Sequence, residues 1–108
     1  MLDQLDTALN ATGYPFKIYG WSSAAGLDTW GVYTPENSGD LLANNRHVEG
    51  ATYFYVDLYT RDSSAAPRRA VEAALNGLGC AWRLSNAQYE SDTGLIHFSW
   101  RCGFRGAF

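Results

Sequence analysis

Few residues of this chain could do chemistry: two histidines, two cysteines and scattered carboxylates. The run "ESDTGLIHFSW", residues 90–100, sets His97 among apolar neighbours, with carboxylates just before it and Trp100 just after. A histidine acting as a general base needs a nucleophile or an orienting carboxylate within hydrogen-bond reach. His47 lies in "NNRHVEG", where Glu49 is its one close neighbour able to bind a metal. That falls short of the clustered His, Cys and carboxylate spacing of a metal site. Cys80 and Cys102 form no Cys-x-x-Cys pair, and the glycines form no G-x-G-x-x-G or G-x-x-x-x-G-K phosphate cradle. The "ESD" of residues 90–92 fits a turn, which Ser and Asp initiate through their side chains. Asp57 is the exception: a carboxylate in mid-strand needs a partner, and Arg61, Arg83 or Arg101 could supply one. The inventory holds no catalytic constellation, and no cofactor or metal is expected.

Bulk properties narrow the class. A chain of 108 residues makes one domain with a modest core. Apolar residues make up 46% and charged residues 18%, a globular composition rather than a disordered one. Four Trp, seven Tyr and five Phe suit a protein that packs against partners. The net charge is −3 and the only adjacent basic pair is Arg68-Arg69, so a phosphate-tracking nucleic-acid surface is not expected. "MLDQLDTALNATG" is acidic and lacks an apolar signal core. No apolar run approaches the ~20 residues that span a bilayer. The expectation is a chain that stays in the cytoplasm that made it, or leaves by a route other than secretion, with reduced thiols.

The elements that position these residues follow from periodicity. Leu2, Leu5 and Leu9 have helical spacing, and Gly13 and Pro15 stop the helix, which predicts a helix over 2–12. Strands follow at 15–21 and at "TWGVYT". Residues 35–50 read as a long connection with one helical turn around Leu41 and Leu42. "ATYFYVDLYTR" is the strongest strand: Phe54, Val56 and Leu58 share one face, and Tyr53, Tyr55, Asp57, Tyr59 and Arg61 the other. A second helix follows, capped by Ser63 or Ser64, with Pro67 in its first turn. Val71, Ala74, Leu75 and Leu78 form its apolar stripe, and Gly77 or Gly79 ends it.

The remainder reads as a hairpin. Ile96, Phe98, Trp100, Cys102 and Phe104 alternate with Leu95, His97, Ser99, Arg101 and Gly103. A three-residue loop closed by Ser91 and Leu95, with Gly94 left-handed, pairs Leu84 with Cys102, Trp82 with Phe104 and Tyr89 with His97. Cys80 then falls near Gly106, beyond disulfide reach of Cys102. The two thiols act as small buried hydrophobes. The fold class is α+β: a mostly antiparallel sheet of four or five strands, two helices on one face, in the order α-β-β-β-α-β-β. On these grounds the chain is a small interaction or assembly protein.

The segments "PFKIYGW", "WGVYTPE", "YFYVDLYTRD" and "AWRLSNAQYESDTGLIHFSW" resemble the small tail-completion proteins of long-tailed bacteriophages over almost the whole chain. More distantly, the element order is similar to the tail terminator proteins of lambda-like phages. The resemblance implies a virion protein assembled in the host cytoplasm, one subunit of a hexameric ring. That ring would cap the tail tube, contact the tail tube protein and dock to the head-completion or neck protein. It implies no catalytic residue, cofactor, nucleic-acid specificity or membrane contact.

A ring needs two complementary patches on each subunit. The residues expected to supply them are Tyr53, Tyr55, Asp57, Tyr59, Arg61, Arg46, His97 and Arg101, with the loops 22–29 and 35–50. Aromatic and arginine anchors dominate such contacts. Alternative readings are a head-closure or neck connector, a small cytoplasmic regulatory module, and an enzyme in which His97, Tyr89 and Asp57 converge.

Overall fold

The computed structural model describes residues 2–19, 27–36 and 51–105. The expected helical turn at Leu41 and Leu42 lies outside them, as do Arg46 and His47. Among the described residues the order is α1 (Leu2–Asn10), β1 (Phe16–Ile18), β2 (Thr29–Pro35), β3 (Ala51–Thr60), α2 (Ala66–Gly77), β4 (Ala81–Glu90) and β5 (Leu95–Arg105). The fold is α+β. The strands form one sheet in the order β1-β2-β3-β5-β4.

The sheet is mixed: the mostly antiparallel expectation holds for three of its four pairings and fails for the fourth. β1 runs parallel to β2, with Phe16 level with Gly31 and Ile18 with Tyr33, while the other three pairings are antiparallel. Residues 19–28 join the two parallel strands, a connection too long for a tight hairpin and close to the dozen residues a crossover needs. Asn10, at the end of α1, anchors β1. Its Oδ1 accepts from Phe16 N at 2.9 Å and its Nδ2 donates to Phe16 O at 3.3 Å. The side chain thus satisfies backbone groups that have no strand neighbour on that edge among the described residues.

Both helices cover the same face. Leu5 and Leu9 of α1 and Val71 and Leu75 of α2 are fully buried against Phe16, Tyr33, Phe54, Val56, Leu58 and Trp100. Each such side chain contributes ~1.5–3 kcal/mol of burial. Tyr33 donates to Asp6 Oδ1 at 2.7 Å, tying β2 to α1. Trp100 donates from Nε1 to Glu72 Oε2 at 3.1 Å, which also accepts from Arg68 Nε.

The start of α2 differs in detail from the expectation. The N-cap position is Ala65, which makes no side-chain cap. Asp62 instead accepts from Ser64 N at 2.8 Å, and Ser64 Oγ accepts from Ala66 N at 3.3 Å. This pair of side-chain turns replaces a serine cap. The Ser64 N–H holds the Asp62 carboxyl below its ordinary range. Pro67 sits in the first turn, as expected, and is buried. The helix stops before Gly79, whose φ is 76°.

β5 and the base of β4 keep their expected faces, but the hairpin does not keep its register. Trp82 stands opposite Cys102 and Leu84 opposite Trp100, two residues from the predicted pairing. Two single-residue steps account for the slide. The closing pair is Glu90 with Leu95, so the loop has four residues, and Gly94 N donates to Glu90 O at 2.8 Å. Gly94 is left-handed at φ 73°, as the sequence requires. The second step is a bulge between Leu84 and Asn86. There Ser85 has no opposite number and its hydroxyl donates to Ser99 O at 3.1 Å. A bulge of this kind inserts one residue into one strand. It shifts the face parity of β4, so Gln88, not Tyr89, stands opposite His97.

The slide also brings the cysteines together, against the expected separation. Both are free and buried, and the two thiols lie close enough to shift each other's ionisation. Cys80 Sγ also donates to Leu75 O at 3.3 Å. Contact with Cys80, and then burial, pushes the Cys102 thiol up, while contact with Cys102 pulls Cys80 down.

Candidate functional site

With both helices on one side, the other face of the sheet is open among the described residues. Strand alternation sends Trp30, Tyr53, Tyr55, Asp57, Tyr59, His97, Arg83 and Arg101 to it. Six of the eight residues expected to form contact patches therefore share a face: Tyr53, Tyr55, Asp57, Tyr59, His97 and Arg101. Arg61 lies past the end of β3. Its Nη1 donates to Leu27 O at 2.8 Å and lies 3.7 Å from the Asp28 carboxylate. It therefore ties the β1–β2 connection to the sheet. Arg46 is outside the described residues, as is most of the two loops.

Two clusters occupy the open face. In the first, Trp30, Tyr59 and His97 stand on three adjacent strands in one row. Trp30 and Tyr59 stack at 5.3 Å between centroids and 12° between planes, and Tyr59 and His97 at 4.3 Å and 11°. His97 Nε2 meets Asp57 Oδ1 at 2.9 Å. His97 is thus the partner of Asp57, in place of the arginines considered from sequence. Burial first, then the charges of Asp57 and Glu90, raise the Tyr59 phenol and keep it protonated.

The second cluster centres on Arg101. Its Nη2 donates to Glu36 Oε1 at 3.0 Å, and its guanidinium lies 4.4 Å from the centroid of the Tyr53 ring. The hydrogen bond to Tyr55 raises the Arg101 guanidinium, and Glu36 adds to the rise.

The chemistry open to these groups is limited. Asp57 orients His97 as a carboxylate would in a relay. Among the described residues, however, Asp57 is the one hydrogen-bond partner of that imidazole, so no nucleophile is poised on it. Tyr89, considered for that role, is 64% exposed and faces Ile96. No group of three or more His, Cys, Asp or Glu among the described residues could hold a metal. The stacked rings turn their faces to one another and their edges outward. They form a ridge rather than the flat platform on which bases stack. No helix among the described residues is long and apolar enough to cross a membrane.

Sequence reasoning left Trp30 and Arg83 out of the contact set and included Glu36 only as part of the loop 35–50. Trp30 was within reach, because alternation along "TWGVYT" sets it on the face opposite Tyr33. Glu36 meets Arg101 only because β2 runs beside β3, which periodicity does not reveal. Comparison with known proteins adds no relative: no family model matches the chain, and no curated protein matches it.

Proposed function

We propose that the chain is a structural assembly subunit whose open sheet face is its contact surface. The observation behind this reading is that face itself. One side of the sheet is sealed by α1 and α2, and the other presents stacked aromatics, a buttressed arginine and a His–Asp pair. Aromatic and arginine side chains held rigid by their neighbours dominate protein contacts, because little freedom is lost when they bind.

Within that class, the resemblance of the sequence to tail-completion proteins supports a particular role. In this reading the chain is a virion protein of a long-tailed phage, in the tail-terminator manner. Copies form a ring, a hexamer by analogy, that caps the tail tube and joins it to the neck. The α+β fold with a one-sided helix layer is compatible with such a subunit.

The test is immunogold electron microscopy on virions of the phage that encodes the chain, with antibody raised against it. Label at the head–tail junction is the expected result. Virions free of label, with the protein confined to the lysate, overturn the reading.

A further inference from the structure

The β4–β5 hairpin is electrically lopsided. Its base carries Arg83 and Arg101 directly opposite each other on neighbouring strands. Like charges in that arrangement repel. Arg101 is offset by Glu36, whereas exposed Arg83 has no charge partner among the described residues. No Lys or Arg occurs between these two arginines in the sequence, and the tip holds Glu90 and Asp92.

Beside the arginines lies a hollow of about 280 Å³, bordered by Tyr53, Arg83 and Arg101 together with the rungs Ala81/Gly103 and Trp82/Cys102. Ala81 and Gly103, the two smallest of these residues, pair on one rung of the sheet beneath it. The Tyr53 ring lies against Gly103, where an added Cβ would sit 3.1 Å from it. The hollow is smaller than the ~300–1,000 Å³ of small-molecule sites and suits one side chain. Tyr53, Arg83 and Arg101 are among the residues that line it, so it favours an aromatic group flanked by carboxylates.

The hairpin tip has that composition. Tyr89 is 64% exposed and is followed by Glu90 and, at the apex, Asp92. Tyr89 and Arg83 are six residues apart along one extended strand, roughly 20 Å at ~3.3 Å per residue. A tip therefore cannot fill the hollow of its own chain.

We propose that the hollow at Arg83 and Arg101 receives the Tyr89–Asp92 tip of a second copy. The inference rests on the assembly reading above and names the contact within it. The two patches differ and lie at opposite ends of one hairpin, so the contact is heterologous and runs head to tail. Such a contact closes into a ring when the rotation between copies closes.

Sedimentation velocity on the full chain over a concentration series, at about 0.05 M and about 0.5 M salt, tests the contact. The variants are Tyr89→Ala, Arg83→Glu, Asp92→Arg and the double variant Arg83→Glu/Asp92→Arg. All three positions are exposed, and a thermal melt of each variant verifies that it folds. The wild type is expected to self-associate, more weakly at high salt. Each single variant should weaken association roughly tenfold or more, and the double exchange should restore most of it. Association untouched by the single variants overturns the inference and leaves the assembly reading to another surface. Single variants that weaken association without rescue by the exchange overturn the pairing of Arg83 with Asp92. A wild type that keeps single-chain mass at every concentration overturns the contact, while the labelling of virions judges the assembly reading independently.

Discussion

The indole of Trp100 and the carboxylate of Glu72 meet at 3.1 Å across the boundary between sheet and helix. Trp100 is fully buried, and Glu72 is also held by Arg68 on its own helix. Truncation by Trp100→Ala should cost about 3–5 kcal/mol, the scale of a large core deletion. Trp100→Phe retains most of the burial and leaves Arg68 to satisfy Glu72. Its cost should be smaller, about 1–3 kcal/mol for the lost indole hydrogen bond and the smaller ring. Urea denaturation measures both, and equal losses would contradict this account of Trp100.

Tyr33 introduces a dependence on alkaline pH. Burial first, then the hydrogen bond to Asp6, push its phenol from 10.0 up to about 12. The folded state therefore favours the protonated phenol. The associated stability is fully present below the unfolded value and is lost as pH rises through the folded one. Thermal stability should fall between pH about 10 and about 12, and Tyr33→Phe should flatten that part of the curve. An unchanged slope in the variant would rule Tyr33 out as the source.

The bulge at Ser85 predicts an asymmetry between deletions. Without Ser85, Leu84 and Asn86 become neighbours and continue a regular ladder against Trp100 and Ser99. Deleting Ser85 should therefore leave the melting temperature within a few degrees, equivalent to about 1 kcal/mol or less. Deleting Tyr55 from β3 should unfold the chain, because that strand is paired on both sides and a one-residue slip reverses its faces. Circular dichroism melts of the two deletions decide the matter.

The thiols should differ in reactivity. Cys102 is 1% exposed and its thiol is pushed up, whereas Cys80 is 7% exposed and is pulled down. Thiolate is the species that alkylates. Iodoacetamide should label Cys80 first in the folded protein, and peptide mass spectrometry over time would reveal the opposite order.

Much of the scaffold was legible in the sequence because periodicity reports which face a residue occupies. The inward set Phe54, Val56 and Leu58, the even-numbered face of β5 and the left-handed Gly94 all stand where alternation and turn chemistry put them. Alternation carries no information about direction, so the parallel pairing of β1 with β2 did not appear in it. The bulge was hidden for a related reason. "SNAQ" has no large apolar residue to mark a change of face, and the parity shift left no trace there. Asp57 and His97 are 40 positions apart. Their meeting depends on β5, rather than β4, lying beside β3, which is a property of strand order. The open face was thus legible one strand at a time, and its cross-strand pairs were not.

The bulge has a further consequence for the free edge of the sheet. β4 is a ten-residue border strand, whereas β1 at the other border has three residues and is covered by Asn10. A long flat border is a template on which other chains can grow as stacked strands. Ser85 divides it into the runs 81–84 and 86–90, each shorter than the ~6–7 residues from which cross-β zippers form. One unpaired serine thereby lowers the hazard of fibril growth at high local concentration, the condition in which many copies of a small subunit accumulate before use.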